Sequence, residues 1–200
     1  MKVGREFMMT KTDVAAPAIA PEDDGQASHL KGSVIPTISL QATDGTSVYL
    51  QAPGLTVVYA YPRTSPPDGQ ALDGWDAIPG ARGCTPQSCA FRDHFRHLQN
   101  LGVHRVFGLS TQVTDYQIEV ASRLHLPFPL LSDHTLAFSS AMRLPRFNAD
   151  GLTLLKRMTM IIEDGRIEHV FYPVFPPERN VDDVIRWLAK RPRPANFENG

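Results

Sequence analysis

The sequence predicts an α/β domain, a mixed β-sheet with helices on both faces and an N-terminal β-hairpin. Three observations predict it. Nearly continuous apolar runs of strand length, such as 55–61 and 104–109, read as buried strands. Segments of helical period lie between them, at 85–101 and 114–125. Asp44-Gly45 and Asp164-Gly165 are hairpin turn signals near the two ends. Strands alternating with helices, followed by an antiparallel pair, give a mixed sheet covered on both faces.

In chain order, residues 1–32 mix Pro, Ala, Asp and Gly without period and are expected to form a disordered or loosely docked extension. The domain is expected over 33–191, with a tail at 192–200. Ile38 and Leu40 alternate with polar neighbours, as do Val48 and Leu50 across the Asp44-Gly45 turn. Leu55 to Tyr61 is the candidate central strand and stops at Pro62, which has no N–H to donate. Residues 62–83 are rich in Pro and Gly, with Trp75 and Ile78 as large apolar anchors; this is a long surface loop. Thr85 is read as a helix cap with Pro86 in the first helical position, and Phe91, Phe95, Leu98 and Leu101 recur at helical spacing up to Gly102. His104 to Leu109 is a second buried strand and 114–125 a helix. A short strand and turn at 127–133 leads to a helix through Leu136 and Met142. Leu154 to Ile162 reads as one strand and Ile167 to Phe171 as its return. Asn180 is expected to cap a last helix carrying Val181, Val184, Ile185 and Leu188.

Composition narrows the function. The chain has 200 residues, enough for one domain with a sizeable core. Twenty Lys and Arg stand against 21 Asp and Glu, so no basic field exists to hold a nucleic acid. No apolar run reaches the ~18 residues that a membrane span needs. Pro17 and Pro21 interrupt the apolar stretch near the start, so no secretory signal is expected, and the expected compartment is the cytoplasm. Two cysteines are too few for a disulfide scaffold, and such a pair is more often catalytic or metal-binding.

Those cysteines stand in Gly83-Cys84-Thr85-Pro86-Gln87-Ser88-Cys89. With a helix starting near Thr85, Cys84 lies at its N-terminal edge, where free N–H groups and the helix dipole favour an anion. A thiolate is such an anion, and Arg82 adds positive potential. Cys89 lies five residues on, and in an intact helix the two Cα atoms stand ~8.6 Å apart and face ~140° away from each other. A disulfide needs less than about 7 Å, so the pair can bond only if the first turn unwinds. Two inert, buried thiols are the alternative. His94 and His97 extend the string, but one helix cannot present all four groups to a tetrahedral ion, and the spacing misses zinc patterns.

The strand ending in Tyr61-Pro62, the cysteine motif and Phe91-Arg92-Asp93 together resemble the peroxiredoxins, most closely the bacterioferritin-comigratory or Q-type branch. The segments Phe107-Gly108-Leu109-Ser110, Phe128 to Asp133 and Lys156 to Ile162 follow in the family's order, so the likeness covers about 34–190. It implies a thioredoxin fold with peroxiredoxin additions. It also implies Cys84 as the peroxidatic cysteine, Cys89 as the resolving cysteine and Arg157 as the arginine that holds thiolate and peroxide. The family normally carries Pro and Thr seven and three residues before that cysteine, where this chain has Ala77 and Ala81. Pro62 resembles the family proline, displaced by an insertion. Thr64 is the candidate to replace the missing threonine, with Thr85 behind it; Trp75 in the insertion and Gln87 in the motif complete the candidate pocket.

The implied activity is reduction of hydrogen peroxide and organic hydroperoxides by an atypical two-cysteine enzyme, with a thioredoxin- or glutaredoxin-like reductant. No cofactor or metal is implied, and either a monomer or a homodimer is compatible. A peroxide sensor or interaction protein of the same fold, with little turnover, is the second reading. A general thiol–disulfide oxidoreductase is the third, disfavoured because the two-residue cysteine spacing is absent.

Overall fold

The computed structural model describes residues 19–65 and 72–191. Among the described residues nine strands form: β1 (Ser39–Ala42), β2 (Ser47–Tyr49), β3 (Leu55–Ala60), β4 (Arg105–Ser110), β5 (Leu130–Ser132), β6 (Arg146–Ala149), β7 (Leu152–Leu155), β8 (Met158–Glu163) and β9 (Arg166–Phe171). Five α-helices accompany them among the described residues: α1 (Cys84–Asp93), α2 (Phe95–Asn100), α3 (Thr114–Arg123), α4 (Ala137–Ala141) and α5 (Asn180–Ala189).

Seven strands make one mixed sheet in the order β2-β1-β5-β4-β3-β8-β9, parallel across β3, β4 and β5 and antiparallel outside. All six residues of β3 are buried, as the apolar run requires of a strand covered on both faces. Its side chains alternate between two cores. Val58 and Ala60 face a cluster with Leu40, Leu109, Phe138 and Ile162. Val57, Tyr59 and Tyr61 face Cys84, Phe91, Leu98 and Val184 beneath α1 and α5. Burying one side chain such as Phe91 contributes about 1.5–3 kcal/mol, so this layer ties α1 firmly to the sheet.

Four expectations change. The single helix over 85–101 is broken at His94, whose backbone leaves helical geometry at φ -101 and ψ 6 while its ring Nδ1 lies 2.9 Å from the Ala90 carbonyl. The strand expected over Leu154–Ile162 is two strands. Asp150 and Gly151, both at positive φ, turn a separate β6–β7 hairpin, and only β8 joins the main sheet. Asn180 is not a cap. It has helical φ and ψ and is 2% exposed, its side chain drawn inward by buried donors, while Arg179 holds the capping position. The loosely docked extension is fastened over 19–32. Leu30 is fully buried, Gly32 N–H donates to the Ile167 carbonyl at 2.7 Å, and Asp24 pairs with Lys156. Residues 1–18 and the expected tail at 192–200 lie outside the described residues.

Candidate active site

The two ends that matter meet through register. Ala60 at the end of β3 pairs with Met158 at the start of β8, so Arg157 stands beside Tyr61 at the carboxyl edge of the parallel strands. α1 starts at the same edge. Gly83 precedes it at φ 98, and a Cβ there would lie 2.6 Å from Pro177 Cγ, so both conformation and space demand glycine. The helix begins at Cys84, earlier than the sequence suggested. Thr85 is therefore not its cap, and Pro86 is tolerated because first-turn N–H groups need no intrahelical acceptor.

Cys84 is 4% exposed and Arg157 is 3% exposed. Arg157 Nη2 donates to Cys84 Sγ at 3.1 Å, and also lies 3.3, 3.3 and 3.1 Å from the carbonyls of Gly80, Ala81 and Arg82. Nη1 donates to Gln87 Oε1. No carboxylate among the described residues pairs with this buried guanidinium. The guanidinium instead spends its donors on backbone carbonyls, the Gln87 amide oxygen and the cysteine sulfur. In the thiol form Cys84 Sγ donates to the Ala81 carbonyl at 3.6 Å. Burial pushes the Tyr59 and Tyr61 phenols up, so both stay neutral under α1. Tyr59 donates to Ser88 Oγ at 3.1 Å and stacks on Phe91, ring centroids 4.5 Å apart.

A cavity of ≈ 240 Å³ opens on Cys84, and Thr64, Trp75 and Thr85 line it with Arg63 and Arg82. Thr64 has thus come back to the cysteine across the insertion. Gln112 holds it, accepting from its amide at 2.9 Å, and Tyr116 donates to its carbonyl at 2.8 Å. Trp75 is packed with Phe147, Ala149 and Leu154, so the unforeseen β6–β7 hairpin is the platform for the insertion. Two pocket candidates lie elsewhere. Gln87 is fully buried behind Arg157, because its amide is claimed by Arg157 and Asn180. Pro62 lines a neighbouring cavity of ≈ 320 Å³ on another side of Arg157, with Tyr172 and Ile78. Cys89 is half-buried further along α1, and both cysteines are free thiols. Sequence reasoning missed the converging carbonyls of 80–82, which no residue type announces, and the Asn180–Thr159 pair behind Gln87.

Residues 30–185 match the Redoxin family model. A peroxiredoxin Q, chloroplastic, from Sedum lineare is 30% identical over 79% of this chain and 77% of its own length. The chain belongs to the redoxin family, among the Q-type peroxiredoxins. A second relative of this peroxiredoxin, peroxiredoxin Q, chloroplastic, from Gentiana triflora, is 31% identical over 79% of the chain, which spans 66% of that relative's length. The fold is that of peroxidoxin BcpB from Mycobacterium tuberculosis, with a TM-score of 0.65 at 24% identity over 82% of this chain and all of the other. The peroxiredoxin is thus α/β of thioredoxin-like fold, and no helix among the described residues is long and apolar enough to cross a membrane.

Proposed function

We propose that this peroxiredoxin is a thiol-dependent hydroperoxide reductase of the atypical two-cysteine kind. The observation that carries the reading is the 3.1 Å contact between a buried Arg157, without a carboxylate partner among the described residues, and Cys84 Sγ at the start of α1. The Cys84 thiolate attacks one oxygen of the peroxide, an S–O bond forms and the O–O bond breaks. Cys84 is oxidised to sulfenic acid, and the other oxygen leaves as water or alcohol after taking a proton. Charge moving onto that oxygen is met by Arg157 and by the first-turn N–H groups of α1. Thr64 and Thr85 flank the peroxide, and Trp75 walls the approach.

Cys89 then condenses with the sulfenic acid, releasing water and leaving a Cys84–Cys89 disulfide. Across an intact helix their Cα atoms are ~8.6 Å apart, so the first turn of α1 opens for this step. An external dithiol of thioredoxin or glutaredoxin type returns both thiols. A compartment that keeps such dithiols reduced, the cytoplasm, is the proposed setting. Stopped-flow oxidation of the reduced protein by hydrogen peroxide, followed by thiol counting, tests the reading. Two thiols lost per peroxide in the wild type is the expected result; unreactive thiols would overturn it.

A further inference from the structure

Four buried side chains run in a line from Arg157 to the last helix. Arg157 Nη1 donates to Gln87 Oε1, Gln87 Nε2 donates to Asn180 Oδ1 at 3.0 Å, and Thr159 Oγ1 donates to the same Asn180 oxygen at 2.6 Å. None of the four is more than 3% exposed.

The donor–acceptor order has one solution. A guanidinium carries only donors, so Gln87 must offer it the amide oxygen. The Gln87 amide nitrogen then faces α5, so Asn180 must offer its oxygen in turn. Asn180 Nδ2 is buried with no partner among the described residues. The orphaned amide nitrogen carries a cost, while the amide oxygen is the shared acceptor of two buried donors, Gln87 Nε2 and Thr159 Oγ1. Half of the Asn180 amide is thus unused, and the half that is used orients Gln87.

Gln87 also sits between Cys84 and Cys89, inside the turn that opens when the disulfide forms. Opening draws Gln87 away from Arg157 and from Asn180 together. We propose that Asn180 is a positioning residue that holds the first turn of α1 closed. It aims Gln87 at Arg157 in the reduced protein and governs how readily Cys89 reaches oxidised Cys84. This rests on the peroxidase reading above and goes beyond it, because it assigns opposite effects of one residue on two successive steps.

Rapid-quench mass spectrometry separates those steps, counting first the Cys84 sulfenic acid and then the Cys84–Cys89 disulfide. In Asn180→Ala, the first step slows and the second quickens, each by about fivefold or more, the equivalent of one hydrogen bond. At excess peroxide, the yield of Cys84 sulfinic acid falls, since the sulfenic acid is captured sooner. Thr159→Val, which removes one donor without changing shape, moves both steps the same way by less, and carries the test if Asn180→Ala does not fold. Unchanged rates in both steps, or both slowed together as a general loosening would produce, overturn the proposal. A wild-type Cys84 inert to peroxide would instead overturn the peroxidase reading itself, and the positioning role with it.

Discussion

Gly83 lies against Pro177 so closely that an added Cβ would stand 2.6 Å from Pro177 Cγ and 3.0 Å from its Cβ. The contact joins the residue before Cys84 to the turn that leads into α5. It sets where α1 starts, and hence where Cys84 sits relative to Arg157.

Gly83→Ala is therefore expected to strain both the backbone and the contact. A side chain at positive φ costs about 1–2 kcal/mol, and the overlap with Pro177 adds to it. Thermal unfolding should fall by about 4 °C or more for a domain of this size, and the peroxide reaction should slow as Cys84 is displaced. A variant with wild-type melting and wild-type rate would show that the helix start is not set by this contact.

How far the sequence announced this arrangement depends on the kind of atom involved. β3 and β4 were legible because strands buried on both faces must be apolar throughout, and the meeting of Cys84 with Arg157 because the order of these residues along the chain resembles the peroxiredoxins. The carbonyls of Gly80, Ala81 and Arg82 were not, since any residue carries one. The β6–β7 hairpin was hidden because Leu154 to Ile162 reads as one run if Lys156 and Arg157 are passed over. The Asp150-Gly151 signal marks the turn between β6 and β7, and the run itself breaks at Lys156 and Arg157, between β7 and β8. Asn180 was misread because asparagine before an apolar helix is usually a cap, and only packing reveals that its amide points inward.

In the proposed mechanism Arg157 supplies the fixed charge of the site, so Arg157→Ala should slow the reaction of Cys84 with peroxide by an order of magnitude or more. A positioned donor to developing charge is worth about 2–4 kcal/mol. Arg157→Lys should recover little, because a single ammonium cannot bond Gln87 Oε1 and Cys84 Sγ with separate nitrogens as the guanidinium does. Stopped-flow rate constants decide the point; equal rates in wild type and Arg157→Ala would remove Arg157 from the chemistry.

Cys89 is held away from Cys84 while α1 is intact, so its loss should spare the first step and stop the second. In Cys89→Ser, Cys84 is expected to consume peroxide at the wild-type rate and then accumulate as sulfenic acid, passing to sulfinic acid with excess peroxide. Mass spectrometry of the quenched protein distinguishes these species by added oxygen. An unmodified Cys84, or a disulfide between two copies formed as fast as the wild-type bond, would contradict an intramolecular resolving role.

The strap at 19–32 should come loose in acid before the sheet does. Burial opposes the charge on Asp24, but hydrogen bonds from Lys156, Tyr172 and the Gln26 amide outweigh it and hold the carboxyl down at about 2. A group with a depressed value in the folded state contributes stability above its ordinary value, 3.8, and loses it as pH falls toward 2. Protonation frees Lys156, next to Arg157, from its ion pair with Asp24. Hydrogen exchange at Leu30 and Gly32 should thus accelerate between pH 4 and 2, after correction for intrinsic rates, while Val57 and Leu109 in the central strands stay protected. Asp24→Asn should show weaker protection at neutral pH and no such step, because its side chain does not titrate. The same acid step in Asp24→Asn would assign the release to another group.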